Sequence, residues 1–264
     1  MCELMGMSAN VPTDICFSFA GLMRRGGATG PHGDGWGIGF YEGRGYRAFH
    51  DPDASAESEI ARFVQGYSIK SDIVLSHIRK ANRGGVCLEN THPFARELWG
   101  QTWAFAHNGQ LRGIKRWPLR RYRPVGSTDS EHAFCWLLDQ VSEAFPQRPR
   151  QPRALWQLIA ELCHQLAQLG VFNALLSDSK ALYAHCGKRL CWITRRAPFG
   201  QATLIDADMS IDFARHTEPN DQVSVIATAP LTRDEPWQTF TPGELQVFQA
   251  GTSRARFLLG EPAP

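Results

Sequence analysis

The sequence predicts an α+β fold in which helices cover packed β-sheets. Short runs rich in β-branched and aromatic residues fall into two groups, one before residue 110 and one after residue 170. Amphipathic helical patterns lie between and around these groups. Helices and sheets that each bury one face pack in layers. The chain of 264 residues is long enough for such a core, and we expect residues 1–264 to form one domain.

The composition limits the partners that this chain can have. Lys and Arg total 28 against 26 Asp and Glu, which leaves a formal net charge of +2 without long runs of like charge. Binding to nucleic acid or to an anionic membrane is therefore not expected, and small molecules or another protein are the predicted partners. No apolar stretch approaches the length of a membrane helix and no signal peptide is recognisable, so the sequence predicts a cytoplasmic protein.

The seven cysteines are odd in number and irregularly spaced, and no Cys-x-x-Cys pair occurs. This pattern indicates neither a disulfide framework nor a zinc site. We therefore expect most of the cysteines to be small buried residues.

Cys2 is the cysteine with a possible chemical role. An initiator methionine before a small residue is normally removed, and removal of Met1 would leave a thiol and a free α-amine on Cys2. An amine with a pKa of about 7.7 to 8 can take the proton of a thiol whose pKa is about 8.5. One residue would then be both nucleophile and base. By itself, however, a cysteine at position 2 is more simply explained as an inert buried thiol.

The first third of the chain contains helix, loop and hairpin signals. Residues 12–24 begin with a Pro-Thr-Asp start signal and continue with helical spacing. Residues 26–39 are rich in glycine but lack a phosphate-loop pattern, so we expect a structural or site-lining loop. Residues 38–41 and 46–49 are predicted to form a β-hairpin, and residues 56–64 a short helix.

Two predicted strands run into polar residues. The strand at residues 73–79 ends in a Ser-His-Ile-Arg sequence that includes Arg79, and the strand at residues 102–106 continues into Asn108-Gly109. Polar groups where a strand ends are candidates for function. An Asn-Gly pair in this position nevertheless indicates, by default, only a turn.

The rest of the chain carries two helices and a second set of strands. Residues 127–131 offer several N-caps before a helical pattern, so capping is the simplest role for Asp129. A linker at residues 145–152 precedes another amphipathic helix at residues 154–169. The later strands are predicted at residues 171–176, 181–185, 190–194, 223–227 and 245–248.

Four separated motifs, taken in order, resemble the glutaminase domain of class II glutamine amidotransferases, which are N-terminal-nucleophile hydrolases. The motifs are Met1-Cys2, His77-x-Arg79, His107-Asn108-Gly109 and Ser127-x-Asp129-x-Glu131, with Asn90-x-His92-Pro93 in support. Each is weak alone, whereas the ordered set covers most of residues 1–131. The resemblance implies a four-layer αββα sandwich of two antiparallel sheets, and the N-terminal segment with the glycine-rich loop is most similar to a standalone branch of the family.

The resemblance also implies a catalytic scheme. Cys2 would attack the γ-carboxamide of glutamine with its own α-amine as base, and would form a γ-glutamyl thioester. The Asn108 side chain and the Gly109 backbone N–H would form the oxyanion hole. Arg79 would bind the α-carboxylate of the substrate and Asp129 its α-ammonium.

His77 is placed with the substrate-binding residues because it shares a motif with Arg79. Histidines in such positions more often pack or orient their neighbours. A metal site formed by His77, His92 and His107 is a disfavoured alternative, since these residues lack typical zinc spacing. We therefore expect no metal and no cofactor.

The substrate is less well determined than the chemistry. This chain has Lys80, Asn82 and Arg83 where the hexosamine-synthesising members of the family have Trp, Thr and His. The glutamine-covering segment therefore differs, and a γ-glutamyl peptide is an alternative substrate to glutamine.

A non-catalytic glutamine-binding module is the alternative from a different class of protein, and retention of the whole set of predicted catalytic residues argues against it. Residues 132–264 are needed to complete the sandwich, so we expect no synthase domain. Ammonia would then be released or passed to a separate protein.

Overall fold

The structure is a computed structural model that describes residues 2–81, 85–213 and 218–258. The helices are α1 (Cys16–Arg24), α2 (Glu59–Gly66), α3 (Asp129–Ala144) and α4 (Pro152–Ala167), and two 3-10 turns cover Leu88–Asn90 and Ile114–Arg116. The strands are β1 (Glu3–Asp14), β2 (Trp36–Glu42), β3 (Gly45–Asp51), β4 (Lys70–Ile78), β5 (Phe94–Leu98), β6 (Gln101–Leu111), β7 (Gly170–Ser177), β8 (Leu182–His185), β9 (Cys191–Arg196), β10 (Gln201–Thr203), β11 (Ser210–Asp212), β12 (Gln222–Ala227), β13 (Gln238–Thr239), β14 (Leu245–Gln249) and β15 (Thr252–Phe257).

Most of these strands belong to two antiparallel sheets. The first sheet has the order β13-β9-β12-β1-β4-β2-β3, and the second has the order β15-β14-β8-β7-β6-β5. Strands β10 and β11 form a separate two-stranded ribbon. β1 lies at the centre of the first sheet, where it pairs with β4 on one side and β12 on the other.

Three apolar clusters fill the spaces between four layers. One cluster joins the outer face of the first sheet to α1 and α2, one lies between the two sheets, and one joins the second sheet to α3 and α4. Alternation along β1 shows the arrangement, because Leu4 belongs to the cluster between the sheets while Met5 and Met7 belong to the cluster under the helices. The predicted α+β fold with an αββα sandwich is confirmed.

Small residues allow the two sheets to approach each other. Along β6, Ala104 and Ala106 face the first sheet, whereas Trp103 and Phe105 pack under the helices on the other side. On β1, a Cβ added at Gly6 would lie 3.0 Å from a methyl group of Leu182 in the second sheet. The central strands of the two sheets are therefore close enough to share one site.

Two predictions about the ends of elements are wrong. The helix predicted over residues 12–24 starts later, because β1 continues through Asp14, which pairs with Lys70 on β4 beyond a register shift, and α1 begins at Cys16. The Asn108-Gly109 pair is not a turn, because β6 extends to Leu111 and pairs with β7 across both residues. In both cases pairing with a distant strand outweighs the local signal.

Other predicted elements agree with the structure. The hairpin predicted from residues 38–41 and 46–49 corresponds to β2 and β3, and α3 and α4 occur where helical patterns were found. The short helix α2 begins at Glu59, where the Ser58 hydroxyl accepts a hydrogen bond from the Ala61 N–H. Within the described residues, no helix has both the length and the apolar character needed to cross a membrane.

Candidate active site

The pairing of β1 with β4 places Cys2 beside the segment that follows β4. Glu3 lies opposite Ile78 in this antiparallel ladder, so the preceding residue on one strand meets the following residues on the other. The Lys80 backbone N–H donates a hydrogen bond to Cys2 Sγ at 3.2 Å, and the thiol donates to the Lys80 carbonyl at 3.5 Å. The chain immediately after Arg79 therefore holds the thiol in place.

Asn108 reaches Cys2 from the second sheet. Its Oδ1 accepts a hydrogen bond from the Cys2 N–H at 3.0 Å, and its Nδ2 donates to the Cys2 carbonyl at 2.5 Å. The side chain of Asn173 on β7 in turn donates to the Asn108 carbonyl at 3.2 Å. Asn108 is only 1% exposed, so these bonds fix the Cys2 main chain against the second sheet in a water-poor setting.

Gly109 is required for a steric reason that the sequence pattern does not show. A Cβ at this position would overlap the carbonyl oxygen of Val171 on the adjacent strand β7. No residue with a side chain fits there without moving β7. The Asn-Gly pair is thus explained by the close approach of two strands.

Asp129 joins the start of α3 to the end of β6. The N-cap of α3 is Thr128, whose hydroxyl accepts a hydrogen bond from the Glu131 N–H at 3.1 Å. Asp129 is the first residue of α3, and its carboxylate accepts hydrogen bonds from the Leu111 N–H at 2.7 Å through Oδ2 and from the Ser130 N–H at 3.0 Å through Oδ1. The N-cap position expected for Asp129 is therefore taken by Thr128, while the Asp129 carboxylate links the first turn of α3 to β6.

The glycine-rich loop braces the segment that contains Arg79. Asp34 accepts a hydrogen bond from the Ala81 N–H at 2.8 Å through Oδ2, and its own N–H donates to the Arg79 carbonyl at 3.2 Å. The Arg79 N–H donates to the Gly35 carbonyl at 2.8 Å. The role of Asp34 was missed in the sequence, where only the density of glycines drew attention to the loop.

Backbone carbonyl groups hold the guanidinium group of Arg79 in place. Its Nη1 donates to the Gly85 carbonyl at 3.0 Å and lies 3.4 Å from the Asp34 carbonyl. The side chain is largely buried, with 4% of the residue exposed. A guanidinium held in this way presents a fixed positive charge.

One cavity of about 770 Å³ brings the predicted site residues together. Cys2, Arg79, Asn108, Gly109 and Asp129 all line it. Its wall also includes residues to which the sequence analysis gave no catalytic or binding role, among them Lys80, Ala81, Gln110–Arg112, Lys115, Arg116 and Ser130. Met1, Asn82 and Arg83, on which two expectations depended, lie outside the described residues.

Burial controls the ionisation of the thiol. Removal from water raises the pKa of Cys2, while the Lys80 backbone N–H and the Arg79 charge oppose this shift without cancelling it. The thiol is therefore neutral near pH 7. A nucleophilic role for it requires a base nearby.

Three neutral histidines form the inner wall of the cavity. The rings of His77 and His92 have centroids 4.2 Å apart, and His107 bonds to the Ser130 hydroxyl at 2.8 Å and the Val171 carbonyl at 3.1 Å. Burial lowers the pKa of all three, and that of His77 falls to about 3, with His107 and Arg79 adding to the shift. In the part of the chain that the structure describes, no group of His, Cys, Asp or Glu is arranged to hold a metal ion.

His77 borders the cavity but has no exposed surface. Neither ring nitrogen has a hydrogen-bond partner among the described residues. Its assignment to substrate binding stays a prediction, and the geometry favours support of the cavity wall.

We expect replacement of His77 by Phe to make stability less sensitive to acid. An unfolded histidine has a pKa of about 6.5, whereas His77 in the folded protein has a pKa of about 3. Between these values the unfolded chain binds a proton that the folded chain does not, so the free energy of unfolding falls as the pH falls. His77→Phe removes this contribution while keeping an aromatic ring.

The measurement is the free energy of unfolding at about pH 7.5 and about pH 5, from urea denaturation. The loss between the two conditions should be smaller in His77→Phe than in the wild-type protein. His164→Gln is the control, since only partial burial lowers the pKa of His164, and its effect should be smaller. An equal loss in His77→Phe and wild type would show that His77 does not titrate differently on folding.

The chain belongs to the family of class II glutamine amidotransferases. The family model described as "Glutamine amidotransferases class-II" matches residues 1–262. The chain is 60% identical to YafJ of Escherichia coli (strain K12) over 251 aligned residues. The alignment covers 95% of this chain and 98% of that protein. These findings confirm the family and the enzymatic class that the ordered motifs predicted.

Solved structures support the same assignment. A predicted glutamine amidotransferase from Pseudomonas aeruginosa PA01 superposes with a TM-score of 0.76 at 50% identity, covering 96% of this chain and 100% of that one. Glutamine phosphoribosylpyrophosphate amidotransferase from B. subtilis superposes with a TM-score of 0.62 at 15% identity, covering 99% of this chain and 50% of that one. The second likeness shows the fold alone.

Proposed function

We propose that this chain hydrolyses the γ-amide of glutamine through a γ-glutamyl thioester on Cys2. The observation that carries the proposal is the convergence of the Cys2 thiol, the Asn108 amide, the Arg79 guanidinium and the Asp129 carboxylate on one cavity. These four groups supply a nucleophile, an amide donor and a pair of opposite charges. An amino acid with a reactive side-chain amide matches that set.

The first step uses the α-amine that Cys2 would carry after removal of Met1. Burial raises the pKa of the thiol, so a base must take its proton, and the amine lies on the same residue. Asn108 Oδ1, which is 3.0 Å from the Cys2 nitrogen, would hold that amine in place. The Sγ–C bond forms, the C–N bond breaks, and the departing nitrogen leaves as ammonia with the proton that the thiol gave up.

The negative charge that develops on the substrate oxygen needs donors. The Asn108 amide nitrogen uses one N–H to bond the Cys2 carbonyl, and an amide nitrogen carries a second. That second N–H and the backbone N–H of Gly109 are the proposed oxyanion hole. The hydrogen bonds from Asn108 to Cys2 would hold the Asn108 amide at a fixed position relative to the Cys2 thiol.

The amino-acid end of the substrate carries an α-carboxylate and an α-ammonium. Arg79 suits the carboxylate because a guanidinium donates two parallel hydrogen bonds, and Asp129 suits the ammonium as the opposite charge. Asp129 already accepts hydrogen bonds from the Leu111 N–H and the Ser130 N–H, and a carboxylate can accept about four. The positions of both groups are set by backbone contacts, which limits their movement on binding.

Water completes the reaction. It attacks the thioester carbonyl, the C–S bond breaks, glutamate leaves and the thiol takes back a proton. The three histidines behind the cavity are neutral and largely engaged in packing, so we assign them to support and not to proton transfer. We propose that the ammonia is released or passed to a separate protein.

Comparison of proteins with and without Met1 tests this mechanism. With Met1 attached, the nitrogen of Cys2 is an amide and has no basic lone pair near neutral pH, so we expect no glutaminase activity. The trimmed protein should release ammonia from glutamine. A trimmed Cys2→Ala variant should release none but still bind glutamine, which isothermal titration can measure. Equal turnover by the trimmed and untrimmed proteins would eliminate the α-amine as base.

Replacement of Asp129 by Asn tests whether Asp129 binds the α-ammonium of the substrate. Asparagine can still accept the Leu111 N–H but has no charge to attract the α-ammonium. We expect the KM for glutamine to rise about 10- to 100-fold, in line with loss of a charged hydrogen bond. Steady-state ammonia release gives this value.

Asp139→Asn is the matched control, because Asp139 lies on the same helix but accepts hydrogen bonds from the backbone of Arg120, Arg121 and Tyr122. Its KM should match that of the wild type. A normal KM in Asp129→Asn would remove Asp129 from substrate binding.

A further inference from the structure

We infer that the outer part of this cavity is a subsite for a second carboxylate. The preferred substrate would then be a γ-glutamyl compound whose amine portion carries a carboxylate, and not free glutamine. This inference rests on the proposed function, since it assigns a substrate class to the same nucleophile.

The first observation is an excess of positive charge in the cavity wall. Arg79, Lys80, Arg112, Lys115 and Arg116 line the cavity, whereas Asp129 is the one carboxylate among its described lining residues. The chain as a whole is nearly balanced, with 28 basic and 26 acidic residues, so the excess is local. Free glutamine has no net charge near pH 7 and would be matched by Arg79 and Asp129 alone. The remaining cations favour a substrate with net negative charge.

The second observation concerns the acidic partners of Arg112, Lys115 and Arg116, the cations in the outer part of the cavity. Arg112, Lys115 and Arg116 form no ion pair within the described residues, whereas Arg120 pairs with Glu143 at 2.8 Å. Arg121, on the same segment, lies 3.7 Å from Glu97. Among the described residues, carboxylates therefore pair with Arg120 and Arg121, which do not line the cavity, and not with Arg112, Lys115 or Arg116.

The local backbone determines the positions of Arg112, Lys115 and Arg116. Gly113 has a φ of 84°, which only glycine adopts readily, and it turns the chain from β6 into the 3-10 turn Ile114–Arg116. Lys115 Nζ donates to the Ser127 carbonyl at 2.6 Å, so its charge lies beside the loop that leads to Asp129. Arg112 and Arg116 are exposed, and they therefore occupy the outer part of the cavity, whereas Cys2 is half-buried.

The third observation is the size of the cavity. Its volume of about 770 Å³ lies in the range of pockets that hold drug-sized ligands, and glutamine has only about ten non-hydrogen atoms. A γ-glutamyl compound that is longer on the far side of the scissile amide would use this space. A carboxylate on its amine portion could then approach the outer arginines.

The chemistry is unchanged by this longer substrate. Cys2 Sγ attacks the γ-carbonyl, the amide C–N bond breaks, and the amine leaves with the thiol proton. Water then cleaves the same thioester to glutamate and the free thiol. The product is an amine with a carboxylate, such as an amino acid, in place of ammonia.

Three substrates separate charge from size. Trimmed protein is assayed with glutamine, γ-glutamylglycine and γ-glutamylglycinamide, with glutamate release as the common readout. The last two compounds have the same shape, and only γ-glutamylglycine carries the second carboxylate. We expect its kcat/KM to exceed that of the glycinamide by about 3- to 30-fold, as expected for one or two partly exposed ion pairs. The advantage should shrink as salt is added.

Two double variants locate the effect. In Arg112→Gln with Arg116→Gln, the ratio of kcat/KM for γ-glutamylglycine over γ-glutamylglycinamide should fall to about 1. In Arg120→Gln with Arg121→Gln, which removes the same charge from the same segment outside the cavity, the ratio should stay at its wild-type value. Because the readout is a ratio within one protein, a partial loss of folded protein does not alter it.

The outcomes distinguish the two levels of the proposal. Hydrolysis of none of the three substrates by trimmed protein would contradict the proposed function itself. Hydrolysis with no preference for γ-glutamylglycine over the glycinamide, or with a preference that survives loss of Arg112 and Arg116, would overturn the carboxylate subsite and leave the Cys2 chemistry standing. Preference for glutamine over both longer compounds would also overturn it.

Discussion

The paired hydrogen bonds between the Cys2 main chain and the Asn108 amide are the contact on which the site depends. They join the first strand of one sheet to a central strand of the other, at the edge where β1 begins and β4 ends. A shift of one residue in either ladder would turn Asn108 or Cys2 to the opposite face. Small residues between the sheets, among them Gly6 and Ala106, allow the close packing that makes this contact possible.

The electrostatic character of the cavity follows from how each group is buried. Cys2 is deprived of water and keeps its proton, so its reactivity would depend on a base. His77 and its neighbours are neutral for the same reason, which leaves the positive charge of the wall to arginine and lysine. Asp34 stabilises this arrangement indirectly, because it holds the Arg79–Ala81 backbone that contacts the thiol. The site thus combines a half-buried nucleophile with positively charged surroundings.

The sequence predicted the layers and the main site residues, but several features depend on contacts between distant segments. β1 was missed because its residues from Leu4 to Ala9 are buried on both faces, so no alternating pattern marks the strand. The Asn108-Gly109 pair looked like a turn because the approach of Val171 is invisible in the local sequence. The bracing role of Asp34 and the charged outer wall at Arg112 and Arg116 likewise appear only once the loops are placed in space. The ordered motifs succeeded because each contributes a chemical group, and the chemistry constrains residue type more tightly than packing does.

The central claim is that Cys2 carries the γ-glutamyl group during turnover. The most direct test is to mix trimmed protein with glutamine, quench with acid within a single turnover, and locate any adduct by peptide mass spectrometry. The account predicts a γ-glutamyl adduct on the Cys2 peptide that disappears when hydroxylamine, which cleaves thioesters, is added. Rapid glutamine hydrolysis with no adduct on Cys2 under these conditions, or with the adduct on another of the seven cysteines, would contradict it.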